Sequence, residues 1–330
     1  MTSWLAQRAA LVGWTAALIS AASFGTAGPI ARPLLAAGWT SASLVAVRLG
    51  IASLLLLVPA LIALRGRWQL VRPQAFALLG YGLFAGVLPQ VSFFNAVQRI
   101  PIGIGLLLEY LGIVWVVVWA WLRTRDRPGS LTMAGMGTAL VGLLIILNPF
   151  QQVTLDPIGV LWGLLAGVGL AVYFVISAET EGLPPVVFVS FGLGIGAIGL
   201  AALGALGVVP MAASIDPVTM FGGTVAWWLP VLVLAVFAAA VAYLLGFIGA
   251  QWLGATMGSF VGLTEVVFAV LWAWLLLAEL PGGWQLAGGL VLLTGVAVVR
   301  LGSARDAVEP ESAPVSPREG LASTAQVGQH

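Results

Sequence analysis

The sequence has no cysteine and no lysine, and its single histidine, His330, is the last residue. Without cysteine there is no disulfide, no thiolate metal site and no thiol nucleophile. Without a histidine in the body of the chain, no imidazole is available to activate a serine or to ligate a metal. No cofactor and no metal are therefore expected. Charge is also scarce: 8% of the 330 residues are charged, 61% are hydrophobic, and the net charge is +1. Soluble domains carry about 25% charged residues. A chain this apolar needs lipid as the solvent for much of its surface. The near-neutral charge offers no footprint for nucleic acid. No Gly-rich Walker loop is present, so ATP is not the direct driver of any activity, and the metalloprotease signature is missing.

What is present is a series of long apolar runs. A span needs about 20 mostly apolar residues. Ten are predicted, at 9–29, 38–63, 74–97, 101–123, 130–148, 157–177, 184–209, 225–249, 253–277 and 284–302, which makes the fold class all-α and polytopic. Arg65 to Pro73, Arg123 to Pro128 and Asn148 to Pro157 punctuate the series. Only Gln251 and Gly254 mark a break within 225–277, a run about twice the length of one span. Arg8 ahead of the first run resembles the start of a secretory leader. The run is long enough to span, however, and is read as a retained helix. Residues 303–330, rich in Pro, Glu and small polar residues, read as a disordered cytoplasmic tail.

The chain matches itself at a shift of 153 residues. Gln98 meets Gln251, Gly105 meets Gly258, and Trp119-Ala-Trp-Leu122 meets Trp272-Ala-Trp-Leu275. Pro128 meets Pro281, and Gly142 meets Gly295. This predicts a five-span repeat at 1–152 and a second at 153–302. Five is odd, so the second copy enters the membrane from the opposite side, the inverted arrangement in which transport sites lie near the midplane between repeats. Arginine placement orients the whole. With the N-terminus cytoplasmic, Arg8, Arg65, Arg67, Arg72, Arg123, Arg125, Arg127, Arg300, Arg305 and Arg318 all lie inside, whereas Asp156, Asp216 and Glu279 lie outside. Both termini are predicted to be cytoplasmic.

Three charged residues fall inside spans, where each costs about 2.5–3.5 kcal/mol on insertion scales. They are Arg48, Glu109 and Glu265, all predicted near mid-depth. Glu265 corresponds to Gly112 under the repeat, one turn from Glu109, so the carboxylates share a similar face and depth. One arginine cannot neutralise two carboxylates at once. One glutamate is therefore expected to pair with Arg48, and the other to exchange between a proton and a substrate amine. The alternative is an ion pair that merely fixes helix packing. Among uncharged polar residues in spans, including Ser20, Ser23, Ser92, Asn95, Tyr243 and Thr264, helix–helix hydrogen bonding is the expected role. Tyr173 and Gln90 are the two expected to reach a cavity.

Taken together, Arg48-Leu-Gly-Ile-Ala-Ser in the second span, Arg99-Ile-Pro-Ile-Gly-Ile-Gly through Glu109-Tyr-Leu-Gly112 in the fourth, Trp162-Gly through Tyr173 in the sixth, and Thr264-Glu265 through Ala278-Glu279 in the ninth resemble the drug/metabolite transporter superfamily, in particular its EamA branch. The stretch from Ile100 to Gly112 resembles the threonine/homoserine exporter subgroup. The chain departs from that pattern at Val266 and Ile113, where proline is common, and at Ala278, where glycine is common. The resemblance covers about residues 10–302. It implies a secondary transporter of the inner (plasma) membrane that exports a small polar metabolite such as an amino acid, coupled to protons through the embedded glutamates or driven by the substrate gradient. The expected partners are that small molecule, membrane lipid and protons, and the chain is expected to be a monomer or homodimer. A channel, or a transport-inactive membrane partner, is the alternative, but a channel favours continuous polar rings that these spans lack. An intramembrane enzyme is a third, weaker reading.

Overall fold

The computed structural model describes residues 2–100, 102–125, 127–147, 156–220, 222–278 and 280–306. Nearly all of them are helical, because long runs of Leu, Val, Ala and Ile in lipid must satisfy every backbone N–H and C=O within the segment. Nine described segments are long and apolar enough to cross a membrane, and Thr264–Leu276 is a shorter apolar helix. This is a multi-pass membrane protein.

The helices are α1 (Thr2–Gly25), α2 (Ala27–Ala36), α3 (Ser41–Leu64), α4 (Ala75–Gly80), α5 (Leu88–Val97), α6 (Ile102–Tyr110), α7 (Gly112–Thr124), α8 (Ser130–Leu147), α9 (Pro157–Glu179), α10 (Pro185–Ala205), α11 (Trp228–Ala235), α12 (Ala242–Gly262), α13 (Thr264–Leu277) and α14 (Gly283–Asp306). Wider π turns at Tyr81–Val87 and Val236–Val241 join α4 to α5 and α11 to α12. The weak break expected near Gln251 falls at Gly254, whose φ of 78° and ψ of 164° only glycine adopts readily.

Several expected boundaries move. The first span continues beyond 29 as α2, across a turn at Thr26. The fourth is two helices that meet at Leu111, and the ninth is the end of α12 plus α13, meeting at Leu263. The seventh ends at Ala205 rather than 209. It is followed by a β-hairpin, β1 (Val218–Met220) and β2 (Gly223–Val225), in antiparallel register with Val218 opposite Val225. The all-α expectation lacked this hairpin, since three-residue strands are too short to show an alternating pattern. The last helix runs to Asp306, four residues into the segment read as tail. Residues 307–330, and the break read at 148–155, lie outside the described residues.

Small residues set the packing, as expected where lipid supplies no hydrophobic drive between helices. In α8 and α14, a Cβ on Gly135 would sit 2.6 Å from Val299 N, and one on Gly142 would press into the Leu292 backbone. The two helices run antiparallel, with Gly135 opposite Gly295 and Gly142 opposite Gly288. Helices α3 and α10 meet at Ser53 and Ser190. Helix α1 lies on α12, where Gly13 meets the side chains of Trp252 and Leu253. Helix α9 lies on α5, where Gly159 meets those of Arg99 and Ile100. At one end of the bundle the hairpin joins a cluster of Ile30, Leu34, Trp39, Leu44 and Val231. Trp39 Nε1 donates to the Ser214 carbonyl at 2.8 Å. We call this the hairpin end. The opposite end carries Arg65, Arg67, Arg72, Arg123, Arg125 and Arg127.

Candidate functional site

A cavity of about 770 Å³ opens between the helices, within the 300–1,000 Å³ typical of small-molecule sites. All five residues singled out in the sequence line it: Arg48 from α3, Gln90 from α5, Glu109 from α6, Tyr173 from α9 and Glu265 from α13. Most of the remaining lining is apolar or aromatic, including Phe24, Phe93 and Phe174.

Depth decides which way the cavity opens. Its lining residues Gly28, Arg32 and Gln98, toward the hairpin end, are exposed. Tyr173, Tyr243 and Ala250, toward the arginine end, are buried. Below them a buried aromatic layer fills the bundle. The Tyr81 ring lies 5.3 Å from Phe188 and 5.9 Å from Tyr173, and Phe188 stacks on Phe247 at 4.9 Å. Gln251 Nε2 also donates to the Thr180 carbonyl at 2.8 Å, tying the ends of α12 and α9 together. The cavity is open toward the hairpin end and closed toward the arginine end.

The carboxylates sit beside matching interruptions. Glu109 lies two residues before Leu111, where α6 gives way to α7. Glu265 lies two residues after Leu263, where α12 gives way to α13. Close packing holds both joints. Gly167 of α9 presses its carbonyl against Gly112, and Gly25 of α1 lies against the Glu265 carbonyl and Phe268. Glu265 occupies the first turn of α13, where the helix dipole complements a negative charge, whereas Glu109 occupies the last turn of α6, where it does not. The expected ion pair is not formed: no carboxylate among the described residues lies within 4 Å of the Arg48 guanidinium, and Glu265, with the Tyr110 hydroxyl beside it, is close enough only for a longer-range attraction. The Arg48 side chain is 6% exposed. Its Nε has no hydrogen-bond partner among the described residues.

Tyr243 was expected to serve helix packing. It does so, in the core and beside Gln90 of another helix, and it also stands in the cavity wall near Arg48. The chain has four tyrosines, and three of them, Tyr110, Tyr173 and Tyr243, line this cavity, while Tyr81 packs beneath. That economy is the one signal in the composition that pointed to Tyr243. Gly246 is glycine because the Tyr173 hydroxyl occupies the space a side chain would need. No group of acidic or histidine side chains suited to a metal occurs among the described residues.

Comparison with known proteins points to a transporter family. The EamA-like transporter family model matches residues 11–148 and again 157–301. An uncharacterized transporter of Archaeoglobus fulgidus is 26% identical over 224 residues, 67% of this chain and 75% of that protein. The uncharacterized inner membrane transporter YicL of Salmonella typhimurium is 24% identical over 245 residues, 72% of this chain and 76% of that protein. A crystal structure of a further protein shares the fold, with a TM-score of 0.71 at 20% identity, covering 89% of this chain and 98% of the other.

Proposed function

The chain belongs to the EamA-like transporter family, and from that premise we propose that it is a secondary transporter that exports a small polar metabolite bearing both an amine and an acid group, such as an amino acid. The observation that carries this is the composition of the cavity. Arg48 is a largely buried cation that lines the cavity, which suits an anionic group of a ligand. Glu109, which lines the same cavity, suits an amine. The apolar remainder accommodates a side group. The likeness of Ile100 to Gly112 to the threonine/homoserine exporter subgroup supports the same class. Proton coupling follows if Glu109 exchanges its proton for the substrate amine while Glu265 stays with Arg48.

We propose further that the ten spans form two inverted repeats, counting α2 with α1, α6 with α7, and the end of α12 with α13. The two family matches support this, as does the packing. Trp252 and Leu253, which cover Gly13, lie 153 positions after Arg99 and Ile100, which cover Gly159. The Gly135–Gly295 and Gly142–Gly288 contacts exchange under the same shift, as an internal two-fold axis requires. That axis lies across antiparallel helices, hence in the membrane plane. The positive-inside rule supports the arginine end as the cytoplasmic one, with both termini inside, and the family likeness supports the inner (plasma) membrane as its location.

The test is a thermal-stabilisation screen of amino acids and related metabolites on the purified protein, followed by counterflow of the hits in reconstituted vesicles. Saturable counterflow supports a carrier. Conductance would indicate a channel, and neither flux nor conductance would indicate a transport-inactive partner. Single cysteines at Ile215, 78% exposed at the hairpin end, and at Ser130 at the arginine end fix the orientation by sided labelling.

A further inference from the structure

Gln98 and Gln251 occupy matching places in the two halves but are in different states. Gln251 is at the closed, arginine end, where its side chain donates to the Thr180 carbonyl at 2.8 Å. Gln98, 153 positions earlier, is at the open, hairpin end. It is exposed at the cavity mouth, and its amide has no partner among the described residues. The contacts of Gly13 and Gly159 place α1 and α9 in correspondence at 146 positions, which makes Leu34 the counterpart of Thr180. Leu34 is in the last turn of α2, and its neighbour Leu35 lines both the main cavity and a smaller adjoining one of about 360 Å³; Gln98 lines the same two. Gln98 and Leu35 thus line the same mouth, where the Leu34 carbonyl already accepts from the Ala37 and Trp39 N–H groups, while the Leu35 carbonyl accepts from Gly38 N–H and has a second lone pair left for a further donor.

We propose that these two glutamines form a reciprocal latch. Gln251 on the Thr180 carbonyl holds the arginine end shut. Gln98 on the Leu35 carbonyl, in the last turn of α2, holds the hairpin end shut in the opposite state. Helix α2 is the moving part. It is separated from α1 by the turn at Thr26, whose Oγ1 donates back to the Ser23 carbonyl at 2.6 Å, and Pro29 in its first turn has no N–H to bond back toward α1. The β-hairpin, packed against α2 on the side away from the cavity, sets its rest position. One latch is engaged at a time, so each state forgoes one hydrogen bond and gains another, and neither end is favoured outright. This rests on the two-repeat reading above.

The cysteine-free chain makes the test direct. Ala269→Cys, on the cavity wall one turn beyond Glu265, is labelled with a membrane-impermeant maleimide applied at the hairpin side of sealed membranes, the side being identified by Ile215→Cys. Gln251→Ala should slow labelling about three-fold, the fall in the open fraction when the roughly five-fold shift of one net hydrogen bond acts on two near-equal populations. Gln98→Ala should speed it, and the double variant should return toward the parent rate. A general loss of packing would move both single variants the same way. No slowing in Gln251→Ala, or equal shifts of one sign in both, overturns the latch. If Ala269→Cys is unreactive from the hairpin side in the parent, the open-cavity reading fails before the latch is tested.

Discussion

Ser53 and Ser190 each bind the other's backbone. Ser53 Oγ donates to the Ser190 carbonyl at 2.8 Å, and Ser190 Oγ donates to the Ser53 carbonyl at 3.0 Å. The exchange clasps α3 to α10 with two bonds where no apolar side chain intervenes. Hydrogen bonds between membrane helices average about 0.6 kcal/mol. Ser53→Ala and Ser190→Ala should each lower the thermal midpoint in detergent by a small amount, and the double variant by less than a general repacking would. Unchanged midpoints in all three variants would show the clasp to be incidental.

Two glycines on one helix should respond in opposite directions. Gly135→Ala places a methyl 2.6 Å from Val299 N and 2.8 Å from the Gly295 carbonyl. Backbone cannot yield cheaply, so α8 and α14 must part, at about 1–3 kcal/mol. Gly137→Ala meets nothing within 4 Å and should stabilise by about 0.5–1 kcal/mol, through helix preference alone. Thermal midpoints of the two variants should fall on either side of the parent; the same ordering for both would contradict the packing.

Ala278 closes α13 with a φ of 56°, a left-handed conformation that costs a residue with a Cβ about 1–2 kcal/mol. Arg125, 153 positions earlier, closes α7 the same way with φ 65°. Ala278→Gly should therefore raise the thermal midpoint by relieving this strain. Ala278 is also where the chain departs from the family pattern it resembles, and that pattern has glycine. A lowered midpoint would mean that the left-handed cap is not populated.

Much of this fold was legible because membrane helices must be long, apolar and nearly free of charge. The three charges that break that rule, at Arg48, Glu109 and Glu265, all line the cavity. The first two spans of each half were harder to match, for a reason the packing supplies. The Ser53–Ser190 clasp relates α3 to α10 at 137 positions, and Gly13 relates α1 to α9 at 146, whereas spans three to five correspond at 153. On the proposed two-repeat reading, helix α2 lengthens the first half, and the hairpin with its flanking loop lengthens the second. No single shift therefore aligns the whole chain. The helix joints at Leu111 and Leu263 were not legible at all, since both are apolar residues within apolar runs and are set by the glycine contacts against them. The place of Tyr243 in the cavity wall was missed because a lone hydroxyl in a span reads equally well as a packing residue.

Asp156 begins α9. Its carboxylate accepts the Ile158 N–H at 2.9 Å and an Arg99 N–H at 3.1 Å. Those two bonds, the backbone one first, hold its pKa below the ordinary value of 3.8. A depressed folded-state value means that this support for the first turn of α9 is complete above the ordinary value and is lost as pH falls through the lower one. Amide exchange at residues 158–160, corrected for intrinsic rates, should thus stay slow at neutral pH and quicken only in strong acid. In Asp156→Ala it should be fast at every pH. A parent profile that quickens near neutrality would assign the cap to another group.

The central claim is that the cavity carboxylates do different work. Glu109 takes the substrate amine or a proton, and Glu265 keeps Arg48 in place. The most direct measurement is substrate counterflow against pH for Glu109→Gln and Glu265→Gln in vesicles, with thermal midpoints taken on the same preparations. The account predicts that Glu109→Gln keeps its midpoint but loses transport at least ten-fold, or loses its dependence on pH. It predicts that Glu265→Gln lowers the midpoint, because Arg48 is left buried without its countercharge. Parent rates and parent pH profiles in both variants would contradict it and leave the two glutamates with a structural role only.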